Sequence, residues 1–190
     1  MTTQHCFSTP IYTHQLEGAQ FDSVQEEIAA VIGSVSAQPN PWAELGTTSF
    51  RFDGCNDLIQ HHCSHTAQAI IHCVHDYLND IAYPADEFTL VDSWFNWYQD
   101  RDFMFEHLHP NRRISGCYYY SSTGEDGDLK FRNPNPSQQF GLFPSDLQGN
   151  TDLIVTPRTG MLVLFPSWLW HRVAPNLGKE TRISIAFNLA

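Results

Sequence analysis

The chain is poor in positive charge. Its 190 residues hold 10 Lys and Arg against 21 Asp and Glu, a formal net charge of -11 at pH 7 with histidines neutral. That balance disfavours a general binder of nucleic acid or of anionic membrane. Arg112-Arg113 is the only basic doublet. No run approaches the roughly 18 consecutive apolar residues of a membrane-spanning helix. The opening stretch MTTQHCFSTP has neither a basic n-region nor an apolar core, so no signal peptide is expected and a cytoplasmic location is. The five cysteines (Cys6, Cys55, Cys63, Cys73, Cys117) are odd in number and form no Cys-x-x-Cys. This argues against a disulfide framework and for free thiols in a reducing compartment. Internal repeats and low-complexity segments are also lacking. What remains, 42% hydrophobic and 16% charged residues, is the composition of a globular protein with a sizeable core.

The two halves differ in texture. In the first, CFSTPIYTHQL reads as an entry strand and TTSFRF alternates like another. Residues 22–35 carry Val24, Ile28, Val31 and Ile32 at helical spacing, with Asp22 as the expected N-cap. Residues 57–81 form a second expected helix with Ile70, Ile71, Val74, Tyr77, Leu78 and Ile81 on its apolar side, closed by Pro84. From Phe88 onward, short segments rich in aromatic and β-branched residues alternate with turn residues. Helices first and strands after predict a mainly β fold, a jelly roll of two antiparallel sheets, with the N-terminal helices packed on one sheet. One domain is expected, with residues 1–87 as strand and helices and 88–190 as the jelly-roll core. Residues 132–150, rich in Pro, Gly and Asn, read as a long loop of the kind that serves as a lid.

The chemistry centres on FEHLHP. On a strand alternate side chains share a face, so His107 and His109 would point the same way, about 7 Å apart at the backbone. Two imidazoles so placed can converge on one ion, and imidazole suits Fe, Zn, Cu or Ni alike. The competing reading is two solvated surface imidazoles. Glu106, one residue out of phase, should point away. A third ligand candidate, His171 in FPSWLWHRVAP, follows an apolar run and emerges at the end of a buried strand.

The NLGK turn then predicts a hairpin between HRVAP and TRISIAF that sets His171 opposite Ser184 and puts His171, Arg182 and Ser184 on one face. Ile183, Ile185 and Phe187 would take the other, against the helices. An inward arginine beside a metal needs an anion, and a guanidinium holds a carboxylate with two parallel hydrogen bonds. 2-Oxoglutarate, a 2-oxo acid with a second carboxylate at its far end, has the matching shape.

SWFNWY, HLHP with ISGCYYY, GDLKFRNP, TPRTGMLVLFPSWLWH and RISIAFN form an ordered string from Trp94 to Asn188, about half the chain. This string resembles the 2-oxoglutarate- and Fe(II)-dependent oxygenases, and more narrowly the small oxygenases of bacteria and their phages. The resemblance implies a double-stranded β-helix with His107, His109 and His171 as metal ligands. It also implies that Arg182, helped by Ser184 and Tyr119, binds the far carboxylate of 2-oxoglutarate, with Asn96 lining the site. The expected reaction takes O2 and a small-molecule or peptide substrate and hydroxylates a C–H bond, with succinate and CO2 as co-products. The wider superfamily has a carboxylate where His109 stands, so three histidines replace two histidines and one carboxylate.

Two other function classes fit parts of the pattern. A cupin-type dioxygenase with three-histidine iron would turn over O2 without 2-oxoglutarate, and a non-catalytic jelly-roll module would have no use for an inward Arg182. Most of the aromatics Trp94, Trp97, Trp168, Trp170 and Tyr118 to Tyr120 read as core, and some as site walls. His61, His65 and His72 fall on one helical stripe and read as an exposed helix face rather than a zinc site.

Overall fold

The computed structural model describes residues 8–41, 46–54, 56–84, 87–135 and 152–190. The chain runs β1 (Tyr12–Gln15), α1 (Gly18–Ile32), β2 (Gln38–Pro39), β3 (Thr47–Thr48), α2 (Leu58–His62), α3 (Ser64–Asp80), β4 (Leu90–Tyr98), β5 (Met104–His107), β6 (Ile114–Ser121) and β7 (Leu129–Arg132). It ends with β8 (Asp152–Val155), β9 (Met161–Pro166), β10 (His171–Val173) and β11 (Arg182–Leu189). Two antiparallel sheets face each other, one of seven strands in the order β1-β9-β6-β11-β4-β3-β2 and one of four in the order β5-β10-β7-β8. This is the expected jelly roll. The N-terminal strands β1 and β3 are built into the larger sheet, paired with β9 and β4.

Alternation divides each strand of the large sheet between two cores. One face carries Phe95, Tyr118, Leu162, Leu164, Ile185 and Phe187, which pack with Val24 and Ile28 of α1 and Ile70, Cys73, Val74 and Tyr77 of α3. Ile183 packs at its margin. At about 1.5–3 kcal/mol per fully buried large apolar side chain, this layer anchors the helices. Gly116 is required there, because a Cβ would lie 2.3 Å from the Phe187 ring and 2.7 Å from the Val163 carbonyl oxygen. The other face meets the small sheet around Tyr119, Leu129, Phe131, Val163, Phe165 and Leu169.

The structure corrects several local expectations. The first helix begins at Gly18 with Glu17 as N-cap, so Asp22 lies inside it. The second expected helix is two, broken at Cys63. Glu27 of α1 causes the break to persist: its carboxylate accepts from the His65 and Thr66 amides, both at 2.9 Å, and caps a fresh helical start. TTSFRF pairs only over Thr47–Thr48. Residues 136–151, most of the expected lid, and Cys6 and Cys55 lie outside the described residues. Cys63, Cys73 and Cys117 are free thiols.

Candidate metal and co-substrate site

Between the two sheets lies a cavity of about 530 Å³, lined by their inward faces and by the connections around Phe50 and His109. From the small sheet come His107 at the end of β5 and His171 at the start of β10, which are cross-strand partners. His109 lies two residues beyond the end of β5, not on the strand as expected. Its backbone N–H donates to the Ser167 carbonyl at 2.9 Å, which turns it back toward the other two. The imidazole centroids are 5.3 Å (His107–His109), 4.2 Å (His107–His171) and 5.1 Å (His109–His171) apart. One ring nitrogen from each lies within 4.8 Å of the others, and among the described residues this is the one such cluster.

The hydrogen bonds of these rings fix which nitrogen is free. His107 Nδ1 donates to the Phe105 carbonyl at 2.8 Å and His171 Nδ1 to the Leu169 carbonyl at 2.9 Å. His109 Nδ1 donates to Asn188 Oδ1 at 2.5 Å. An oxygen that only accepts requires the proton on Nδ1 and leaves each Nε2 with an open lone pair. Burial lowers the pKa of His107. Burial, then repulsion from His107, lowers His109 to about 4. His171 is held well below its ordinary value by burial and then by both neighbouring imidazoles. Three neutral imidazoles with open lone pairs are suited to a divalent ion.

The inner face of the large sheet supplies the rest. β11 presents Arg182, Ser184, Ala186 and Asn188 to the cavity. Its pairing sets Ser184 between Asn96 on β4 and Tyr119 on β6. Arg182 is 1% exposed. Its Nη1 donates to the Asp126 and Gly127 carbonyls at 3.1 and 2.7 Å, and its guanidinium stands 4.4 Å from the centroid of Tyr98. Gly127 sits at φ 101°, where a Cβ would lie 2.3 Å from the Ala174 carbonyl oxygen, so the chain there admits glycine. Among the described residues no carboxylate pairs with Arg182, and its Nε and the Oδ1 of Asn96 are buried without a hydrogen-bond partner. A buried cation with an open donor is the form of an anion site.

All seven expected site residues therefore meet at one cavity, but not through the expected hairpin. β10 pairs with β5 and β7 in the small sheet, whereas β11 pairs with β4 and β6 in the large one. Buried Asn176 makes the difference: its amide donates to the Tyr98 and Glu180 carbonyls, both at 2.9 Å, and ties NLGK across the gap between sheets. His171 and Arg182 face each other across the sandwich rather than sharing a strand face. Glu106 points away as expected, paired with Arg132 and Arg172. Trp94 lines the cavity and Trp97 does not, while Trp168 and Trp170 are exposed. Asn188, Asp92, Phe50 and Tyr98 also line the cavity and were missed. Strand alternation from Arg182 through Ser184 to Asn188 was the signal for the first. The helical histidines pair with carboxylates of their own helix or its cap, His61 with Asp57 and His72 with Asp76, as an exposed face does.

A jelly roll with three histidines converging on its cavity and, among the described residues, an arginine there without a carboxylate partner is the form of a metal-dependent protein that takes an anionic ligand. Residues 92–188 match the family described as "Putative 2OG-Fe(II) oxygenase", and the chain belongs to it. It is a 2-oxoglutarate- and Fe(II)-dependent oxygenase with a three-histidine site, and family membership removes the non-catalytic alternative. No curated protein matches the chain. Among solved structures it is similar to a prolyl-4-hydroxylase from Pseudomonas putida (TM-score 0.64, 15% identity, covering 96% of this chain and 92% of that one). It is also similar to HygX from Streptomyces hygroscopicus with nickel and 2-oxoglutarate bound (TM-score 0.61, 14% identity, 96% and 83%). A third is the Trichoplax adhaerens prolyl hydroxylase in complex with a hypoxia inducible factor peptide fragment (TM-score 0.60, 14% identity, 94% and 82%). At these identities the likeness is one of fold. Among the described residues no helix is long and apolar enough to cross a membrane.

Proposed function

We propose that this oxygenase hydroxylates a C–H bond of a peptide or small-molecule substrate, with His107, His109 and His171 holding Fe(II). In this reading Arg182, with Ser184, Tyr119 and Asn96, holds the far carboxylate of 2-oxoglutarate. The observation that carries it is the buried guanidinium with an open Nε in the same cavity as three neutral imidazoles with open lone pairs. When bound, iron supplies the oxidation, in which O2 and 2-oxoglutarate give succinate, CO2 and an oxygen atom inserted into the substrate.

The chain's own residues do the rest. The three imidazoles would hold the metal through their open Nε2 atoms, and the cavity beside them would take the co-substrate and O2. Each Nδ1–H bond locks its ring, so little ordering is left to be done when the metal arrives. Arg182 sets the direction of the co-substrate, because its Nη1 is already engaged by two carbonyls while its buried Nε is left open to an anion. Small Ser184 and Ala186 between Arg182 and Asn188 leave room along β11. Burial holds the Tyr119 hydroxyl well above its ordinary pKa, so it stays a proton donor for a carboxylate. Trp94, stacked on His109 with centroids 6.0 Å apart, and Phe50 beside it wall the cavity against water on the substrate side.

The test is anaerobic titration with Fe(II) and 2-oxoglutarate. A charge-transfer band of the chelate is expected in the native protein and not in His171→Ala. Succinate should then form on admission of O2. Oxygen uptake with no consumption of 2-oxoglutarate would overturn the reading in favour of a co-substrate-free dioxygenase.

A further inference from the structure

His107 and His171 are each locked by a backbone carbonyl two residues earlier, an acceptor that cannot turn around. His109 is different: its anchor is a side-chain amide, and an amide presents oxygen one way and N–H₂ the other. Whether His109 offers an open Nε2 therefore depends on what orients Asn188.

The sheet register answers this. Asn188 on β11 lies between Asp92 on β4 and Ser115 on β6. Its Oδ1 accepts from Ser115 Oγ at 2.8 Å as well as from His109. Ser115 in turn is 2.7 Å from Ser167 Oγ, whose hydroxyl supplies the proton of that contact because Ser115 has spent its own. On the other side Asn188 Nδ2 donates to Asp92 Oδ2 at 3.2 Å, and Arg112 Nε holds the same oxygen at 2.6 Å. Asn188, Ser115 and Ser167 are at most 5% exposed, so bulk solvent competes little for these bonds. Turning the amide over would put Oδ1 against an acceptor oxygen of Asp92 and Nδ2 against His109. The ring would then keep its proton on Nε2 and have no lone pair for a metal.

We infer that Asp92 is a positioning residue: by fixing the amide of Asn188 it sets the tautomer of His109 and so makes this histidine, which stands where the superfamily has a carboxylate, a competent metal ligand. The inference rests on the three-histidine metal reading. Arg112 sharpens the dependence. With Asp92 gone, the guanidinium that it held has lost its acceptor, and its charge favours the amide oxygen turned away from His109.

The test has two readouts, and the first needs no metal. Long-range ¹H–¹⁵N correlation spectra of the metal-free protein at neutral pH report the tautomer of each imidazole. The native protein should show His109 with its proton on Nδ1, Asp92→Leu should shift it toward Nε2, and His107 and His171 should not change. Calorimetric titration with Ni(II) should show Asp92→Leu binding about 10- to 100-fold more weakly. Moving the carboxylate in Asp92→Leu/Asn188→Asp presents oxygen to His109 in either orientation, so it should restore both the tautomer and the affinity. Asp92→Ala carries the same prediction if the leucine variant does not fold. A native His109 protonated on Nε2 overturns the inference. So does an Asp92 variant that weakens Ni(II) with the tautomer unchanged, one that binds within threefold of native, or a double variant that fails to recover. Absence of Ni(II) binding by the native protein would instead sink the metal reading, with the spectra still deciding the role of Asp92.

Discussion

Replacing Arg182 by Met should change the stability of the metal-free protein little while removing its grip on 2-oxoglutarate, and the contrast is the informative feature. In the fold as described, the guanidinium is 1% exposed, has no carboxylate partner among the described residues and leaves Nε unbonded. Its compensation is two carbonyl hydrogen bonds and the Tyr98 ring. Those bonds are worth about 0.5–1.5 kcal/mol each net, rising to about 1.5–3 with a charged donor, against a desolvation penalty of several kcal/mol for a buried ion. Exchange for an apolar side chain of similar length relieves that penalty but leaves the Asp126 and Gly127 carbonyls without their donor, at about 1–3 kcal/mol each, so the net change stays within about 2 kcal/mol of zero. The co-substrate loses a desolvated charge pair, which costs about 2–5 kcal/mol, or roughly 30- to several-thousandfold in Kd at about 1.4 kcal/mol per decade. Urea denaturation of the metal-free proteins gives the first quantity. Anaerobic calorimetry of 2-oxoglutarate with Ni(II)-loaded protein gives the second. An affinity within threefold of native, or a loss of more than about 2 kcal/mol in stability, would mean that Arg182 is a structural cation and the anion site lies elsewhere.

Four further outcomes follow from the same geometry. Ni(II) affinity should fall less than about tenfold between pH 7.5 and 5.5 by calorimetry. Three histidines at their ordinary value near 6.5 would instead lose about a thousandfold by proton competition, and burial lowers all three, with His109 at about 4. The cost appears in folding: with folded-state values depressed, the unfolded chain takes up protons first, so metal-free stability is full above about pH 6.5 and drops as pH falls toward 4, as acid titration by circular dichroism would show. Gly116→Ala should cost at least about 1–3 kcal/mol in urea denaturation, since its Cβ would meet Phe187 and the Val163 carbonyl. Replacing His61, His65 and His72 together by Ala should leave a single Ni(II) site of unchanged affinity by equilibrium dialysis.

Much of the site was legible because strand alternation is a local property. Arg182, Ser184 and Asn188 share parity on β11, as do Asp92, Trp94 and Asn96 on β4, so one polar inner face could be read from each segment alone. The ordered string of motifs carried the same information about His107, His109 and His171. The misses share one origin. The second helix broke because a carboxylate from α1, far away in sequence, caps its middle at His65 and Thr66. The hairpin failed because Asn176 binds Tyr98 and Glu180, so a turn signal that fits a tight connection instead spans two sheets.

The sequence by itself determined the fold class, the two-faced strands and the set of groups able to reach a metal and an anion, since these depend on residue type and on periodicities of a few residues. Only the tertiary structure decided that β10 and β11 belong to different sheets, that His109 lies beyond its strand and that its anchor is an amide held by Asp92. Those outcomes rest on hydrogen bonds between segments up to about a hundred residues apart, and no local pattern encodes which distant partner satisfies a buried polar group.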